Sequence, residues 1–172
     1  MRPLTFYLTV AVLVATDQVS KWSVTRTVPA TGQPVVPGVF SLTPTQNTGG
    51  AFSLLQAHNS VFLVIAAVAI LALLLAYHYR RHEDMLVCAA LALALGGAIG
   101  NVIDRAAFGY VRDFFHVHDL SGNTLWPIFN IADSAITVSV VLLAWRALRP
   151  SRAQSDGAAM EPDGPGAAPG EG

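Results

Sequence analysis

Four stretches of the chain, residues 4–22, 60–79, 85–103 and 131–148, carry few charges over the length that a bilayer demands. A helix crossing the hydrocarbon core needs about 20 apolar residues, because no water is there to satisfy exposed backbone. Four such runs take up more than two fifths of a 172-residue chain. Charged residues make up only 12% and hydrophobic ones 53%, whereas a soluble domain carries about 25% charged residues. A globular core in so short a chain has too little volume to hide that much apolar surface. The predicted fold class is therefore an all-α membrane protein with four transmembrane helices.

The first run begins after Arg2, as a signal peptide would. No clear small-x-small cleavage site follows, and Asp17 and Lys21 continue on helical spacing into Trp22. A net charge of −1 offers no basic excess for nucleic acid, and the single cysteine, Cys88, excludes an intrachain disulfide.

If the four runs alternate in direction, Arg2, Arg80, Arg81, Arg146, Arg149 and Arg152 fall on one side and Lys21, Arg26, Arg105 and Arg112 on the other. The richer side is predicted to be cytoplasmic, with both termini inside. The first outer loop, residues 23–59, mixes β-branched and aromatic residues with Pro and Gly, the pattern of short strands and turns. Residues 105–130 form the second outer segment, with aromatic residues suited to the membrane surface. From Pro150 the chain is Gly, Pro, Ala and acid, which predicts a disordered cytoplasmic tail over 150–172.

Polar groups within the runs gather at one end. Asp17 and Lys21 lie near the outer end of the first run, and Gly97, Asn101 and Asp104 share a face of the third. Asn130, Asp133 and Thr137 align at the start of the fourth. Intramembrane ionisable residues are costly and mark functional sites by default. Structural roles are open to each as well. Asn130 and Asp133 have the spacing of a helix cap, Asp17 and Lys21 that of an i, i+4 ion pair, and Gly96, Gly97 and Gly100 that of close helix packing. Asp104 and Arg105 suit an interface salt bridge, and His116 with His118 offers only a weak H-x-H metal spacing.

Asp113 raises the set above its parts. It lies in "YVRDFFHV", from which the chain must return to the fourth run, so Asp113 and Asp133 can meet at the membrane surface. Two carboxyls in a poorly solvated site tend to share a proton. One then activates water as a base while the other polarises a carbonyl, the chemistry of an aspartic peptidase.

Five blocks, "DQVSK" at 17–21, "NTGGAFS" at 47–53, "GGAIGNVIDR" at 96–105, "VRDFF" at 111–115 and "FNIADS" at 129–134, resemble in order and spacing those of the lipoprotein signal peptidase (signal peptidase II) family. The resemblance covers residues 1–148. It implies a single membrane peptidase domain over 1–149, with an extracytoplasmic β-cradle from the first loop and a short periplasmic helix over the site from the second. It implies an aspartyl endopeptidase of the bacterial cytoplasmic membrane, its active site near the outer face, sensitive to globomycin. The substrates would be prolipoproteins, cut on the N-terminal side of the diacylglyceryl-modified lipobox cysteine. Besides these substrates and membrane lipid it implies no obligate protein partner, and neither cofactor nor metal is expected. Asp113 and Asp133 match the catalytic pair, while Asp17, Lys21, Asn47, Gly49, Asn101, Arg105 and Asn130 match supporting or substrate-contacting positions. Asp104 is expected to hold the scaffold. Arg112 departs from the pattern, standing where the family usually has an apolar residue. A rival reading, a small ion or proton transporter subunit with Asp17, Asp104 and Asp133 as a relay, needs polar residues that continue toward the inner leaflet, and here they stop.

Overall fold

The computed structural model describes residues 1–48, 59–81 and 84–149. Its elements, in chain order, are α1 (Pro3–Thr27), β1 (Gln33–Val36), β2 (Phe40–Asn47), α2 (Asn59–Arg80), α3 (Met85–Phe108), β3 (Val111–Val117) and α4 (Ile131–Leu148). All four helices are long and apolar enough to cross a membrane. Gly49 and the predicted tail from Pro150 lie outside the described residues.

Local chemistry sets the helix ends. Pro3 opens α1, where its missing N–H costs nothing. Asp84 caps α3 by accepting from the Leu86 amide at 2.9 Å. Gly109, at φ 81°, closes α3 with its N–H on the Arg105 carbonyl. The third apolar run ends at 103 in the sequence, yet the helix continues to Phe108. Asp104 and Arg105 do not break it, because their charges are met or covered by neighbouring elements.

Helix α3 is the centre of the bundle and packs against α1, α2 and α4. Small residues make this possible. A Cβ on Gly97 would stand 2.5 Å from the Ala132 carbonyl oxygen of α4, and one on Gly96 would stand 2.7 Å from Leu13 of α1. At the end opposite the sheet, Phe6 stacks on Tyr77 with ring centroids 3.5 Å apart, over Cys88 and Leu91. Outward faces stay apolar and exposed, as at Val12, Val64, Ile65, Val68, Val140 and Val141. In water such a surface would drive association; in a bilayer it is the solvent-matched face.

Beyond one end of the helix bundle lies a three-stranded antiparallel sheet in the order β1-β2-β3. Thr45 pairs with Asp113 and Asn47 with Val111. The register slips between Leu42 and Thr45, at the segment holding Pro44, which has no N–H to give a ladder. The sheet corrects two expectations. Its third strand comes from the second outer segment, so the cradle is not built by the first loop alone. And residues 109–130 hold no helix over the site; they form β3, turns and isolated bridges. Val111, Phe114, Phe115 and Val117 favour a pleated surface, and β2 offers them an open edge. The return is fixed by Asp119, whose carboxylate accepts from the Ser121 and Asn123 amides and from the Asn123 side chain.

Candidate active site

A short backbone splice brings two distant carboxyls together. The Phe114 and Phe115 amides both donate to the Phe129 carbonyl, at 3.0 and 2.8 Å, and the Phe129 amide donates back to Phe115 at 3.2 Å. The start of α4 is thereby clamped against β3. Asn130, fully buried, then reaches both acids. Its Nδ2 donates to Asp113 Oδ1 at 2.6 Å, and its backbone N–H donates to Asp133 Oδ2 at 3.2 Å. The Asp133 amide donates in return to Asn130 Oδ1 at 2.9 Å, completing a capping box. The cap is real, and it is also what holds the two acids side by side.

Each carboxyl has a second amide partner. Asn47 Nδ2 donates to Asp113 Oδ2 at 2.8 Å, and Asn101 Nδ2 donates to Asp133 Oδ1 at 2.7 Å. Asn101 is oriented in turn, because Lys21 Nζ donates to its Oδ1 at 3.1 Å. An ammonium can only donate, so the amide oxygen must face Lys21 and the NH2 must face Asp133. Burial, and then the negative charge of Asp133, push the Asp113 carboxyl up to about 7, against the lowering effect of the Asn47 and Asn130 donors. Asp113 is 2% exposed.

Behind the pair lies a buried charge network. Lys21 pairs with Asp17 at 2.8 Å and Asp104 at 3.4 Å, all three side chains fully buried. Asp17 also accepts from the Ala132 amide at 3.0 Å, which ties α1 to the first turn of α4. Arg112, the departure from the family pattern, turns away from Asp113. Its guanidinium meets Asp104 at 2.7 Å and Gln18 at 2.9 Å and lies over the Phe108 ring. Alternation along the strand separates neighbouring side chains in this way. Asp104 thus stands in the scaffold with Arg112 and Lys21. Gln18 was not singled out from the sequence, although it links Asp17, the Gly100 carbonyl, Asp104 and Arg112. Nothing in its spacing distinguished it from an ordinary helix residue.

Two grooves meet at Asp133. One, of about 420 Å³, lies between α2 and α4 and includes Asn47, Asn101, Arg105 and Trp126. The other, of about 430 Å³, runs along α4 past Val117, Phe129 and Val138. In the first, Arg105 lies over the Phe62 ring at 3.9 Å, and its buried Nη1 has no hydrogen-bond partner among the described residues. Such a donor is costly unless something binds it. The His116 nitrogens face the Thr43 and Thr124 hydroxyls, and His118 faces the Asp119 carbonyl. Among the described residues no three His, Cys, Asp or Glu side chains converge as a metal set.

Comparison with known proteins bears on this arrangement. The family model described as signal peptidase (SPase) II matches residues 9–149, all five blocks included. The chain belongs to the signal peptidase II family. Members of this family are peptidases, and the four apolar helices make this one a multi-pass membrane protein. A lipoprotein signal peptidase of Moorella thermoacetica is 39% identical over 87% of this chain and 96% of its own length. That of Geobacter metallireducens is 40% identical over 87% and 94%. A solved structure of a bacterial membrane enzyme superposes with a TM-score of 0.74 at 29% identity, covering 94% of each chain.

Proposed function

We propose that this member of the signal peptidase II family is an aspartic endopeptidase that removes signal peptides from prolipoproteins, cutting before the diacylglyceryl-modified cysteine. The observation that carries the proposal is that one buried residue, Asn130, bonds both Asp113 and Asp133. Two acids so close in a poorly solvated site hold one proton between them.

In this reading the ionised acid takes a proton from water, whose oxygen attacks the scissile carbonyl carbon. The protonated acid gives its proton to the carbonyl oxygen. As the tetrahedral intermediate collapses the C–N bond breaks, and the proton taken from water passes to the departing cysteine amine. The acid left ionised takes back a proton from one gem-diol hydroxyl as the carbonyl re-forms, so both acids end as they began. Arg105, a lining residue of the groove whose buried Nη1 has no partner among the described residues, would turn a donor to a backbone carbonyl of the bound signal peptide. The diacylglyceryl chains would stay in the bilayer along α4. This sets the depth of the scissile bond at the membrane surface, where water is at hand. Both termini would then be cytoplasmic and the dyad would lie near the outer face.

The test is cleavage of a purified diacylglyceryl prolipoprotein by the full chain in detergent. The wild type should release a signal peptide ending just before the modified cysteine, and Asp113→Asn should not. Equal cleavage by both would sink the mechanism; a cut elsewhere would sink the assignment of the bond.

A further inference from the structure

The end of the bundle opposite the dyad carries a third groove. Helices α2 and α4 both flank α3 but do not pack on each other among the described residues. The gap between them opens there into a cavity of about 410 Å³, walled by Val87 and Leu91 of α3 and Leu143 of α4. Arg80, Arg146 and Arg149 stand around it. Nothing in the peptidase chemistry uses them.

We propose that this groove binds an anionic phospholipid, its phosphate on the arginines and one acyl chain along Val87, Leu91 and Leu143. Three features point to that occupant. Guanidinium groups match phosphate oxygens in planar, bidentate geometry. The depth is that of a headgroup, since Tyr79 and Trp145 nearby are exposed aromatic residues of the interfacial kind and Arg149 lies over the Trp145 ring at 4.8 Å. The walls are apolar, so a free phosphate would leave most of the groove unfilled. Cation excess survives local pairing. Arg146 Nε donates to Asp84 at 2.8 Å, and Glu83, beyond the described residues, is the other acid of the sequence between α2 and α3. The acidic segment 150–172 could answer the charge but offers one large apolar side chain, Met160, for the walls. Basic pockets between transmembrane helices are lipid sites by the same physics.

The experiment is native mass spectrometry of the full chain with equal amounts of phosphatidylglycerol and phosphatidylcholine bearing identical acyl chains. Each arginine near a headgroup is worth about fivefold in affinity for an anionic lipid. Phosphatidylglycerol adducts should exceed phosphatidylcholine adducts at least tenfold, and the triple variant R80Q/R146Q/R149Q should bring the ratio near one. Ala147→Trp, at an exposed position beside the groove, should cut the adducts while leaving every charge in place, and it decides the matter alone if the triple variant melts early. Glycerol phosphate in excess should not displace the lipid. Equal retention of both lipids, or full displacement by glycerol phosphate, would overturn the proposal. So would a rise in adducts in D156N/E161Q/D163N/E171Q as large as the fall in the triple variant, since the tail would then be the resident.

Discussion

Asn130 gives from two different nitrogens to two different acids, and the consequence is that neither acid can be altered alone. Asp113→Asn and Asp133→Asn each keep the volume of the side chain but remove a proton carrier. General acid–base roles are typically worth about 10² to 10⁴ in rate. Residues that act as a unit are strongly non-additive, so the double variant should cleave little more slowly than either single one. A kinetic comparison of the three in one detergent checks this, and near-normal turnover of Asp133→Asn would reduce that residue to a cap. The Asp113 carboxyl adds a pH signature. Its ordinary value is 3.8 and burial with the Asp133 charge lifts it to about 7. Between those values the unfolded chain has released a proton that the folded chain retains. Stability is therefore lost as pH rises through this window, and the loss is complete above about 7. The melting temperature should fall from pH 5 to pH 8 in the wild type and fall less in Asp113→Asn. A flat wild-type profile would mean that Asp113 titrates normally. At this scale the sequence was informative: the N-x-x-D spacing announced a cap, and Asp113 in its apolar segment announced a partner. Gln18 stayed hidden, because a glutamine within a helix carries no pattern until the residues facing it are known.

Helix α3 places half of the site, and its glycines set how closely it can approach. Gly97 meets backbone, since its added Cβ would stand 2.5 Å from the Ala132 carbonyl, and Ala132 adjoins Asp133. Gly97→Ala should push α4 away from α3, lowering both melting temperature and cleavage. Gly109→Ala makes an informative control. Nothing among the described residues lies within 4 Å of its added Cβ, and only its positive φ is strained, at a cost of about 1 kcal/mol. Melting curves that ranked Gly109→Ala as the worse change would refute the packing argument. Asp104→Asn belongs to the same helix and should act on stability more than on chemistry, because Lys21 and Arg112 would lose a buried counter-charge. Breaking a buried pair costs roughly 3–5 kcal/mol. Among elements, the helices were legible because apolar length is a strong signal. The third strand was not. "VRDFFHV" is amphipathic at either period over so few residues, and only the free edge of β2 decided for a strand.

Orientation is a property of the whole molecule, and it is where the site's depth finds its cause. The Lys and Arg bias of six against four is modest, but the structure changes its weight. On the sheet side Lys21 and Arg112 are spent on Asp17 and Asp104, and Arg105 is buried. On the other side Arg80, Arg81 and Arg149 are exposed. The exposed positive charge that governs insertion thus lies mostly at the end opposite the dyad, Arg26 being the exposed cation at the sheet end. Both termini should be cytoplasmic and the sheet external. Single cysteines placed at Ala30, Asn123 and Ala159 in a Cys88→Ser background, with an impermeant maleimide on intact cells, should label at the first two only. Labelling at Ala159 in intact cells would reverse the orientation. It would also put the dyad on the side where a signal peptide's basic start lies rather than its cleavage site, and the peptidase reading would lose its account of why Asp133 sits at the mouth of a helix instead of its middle.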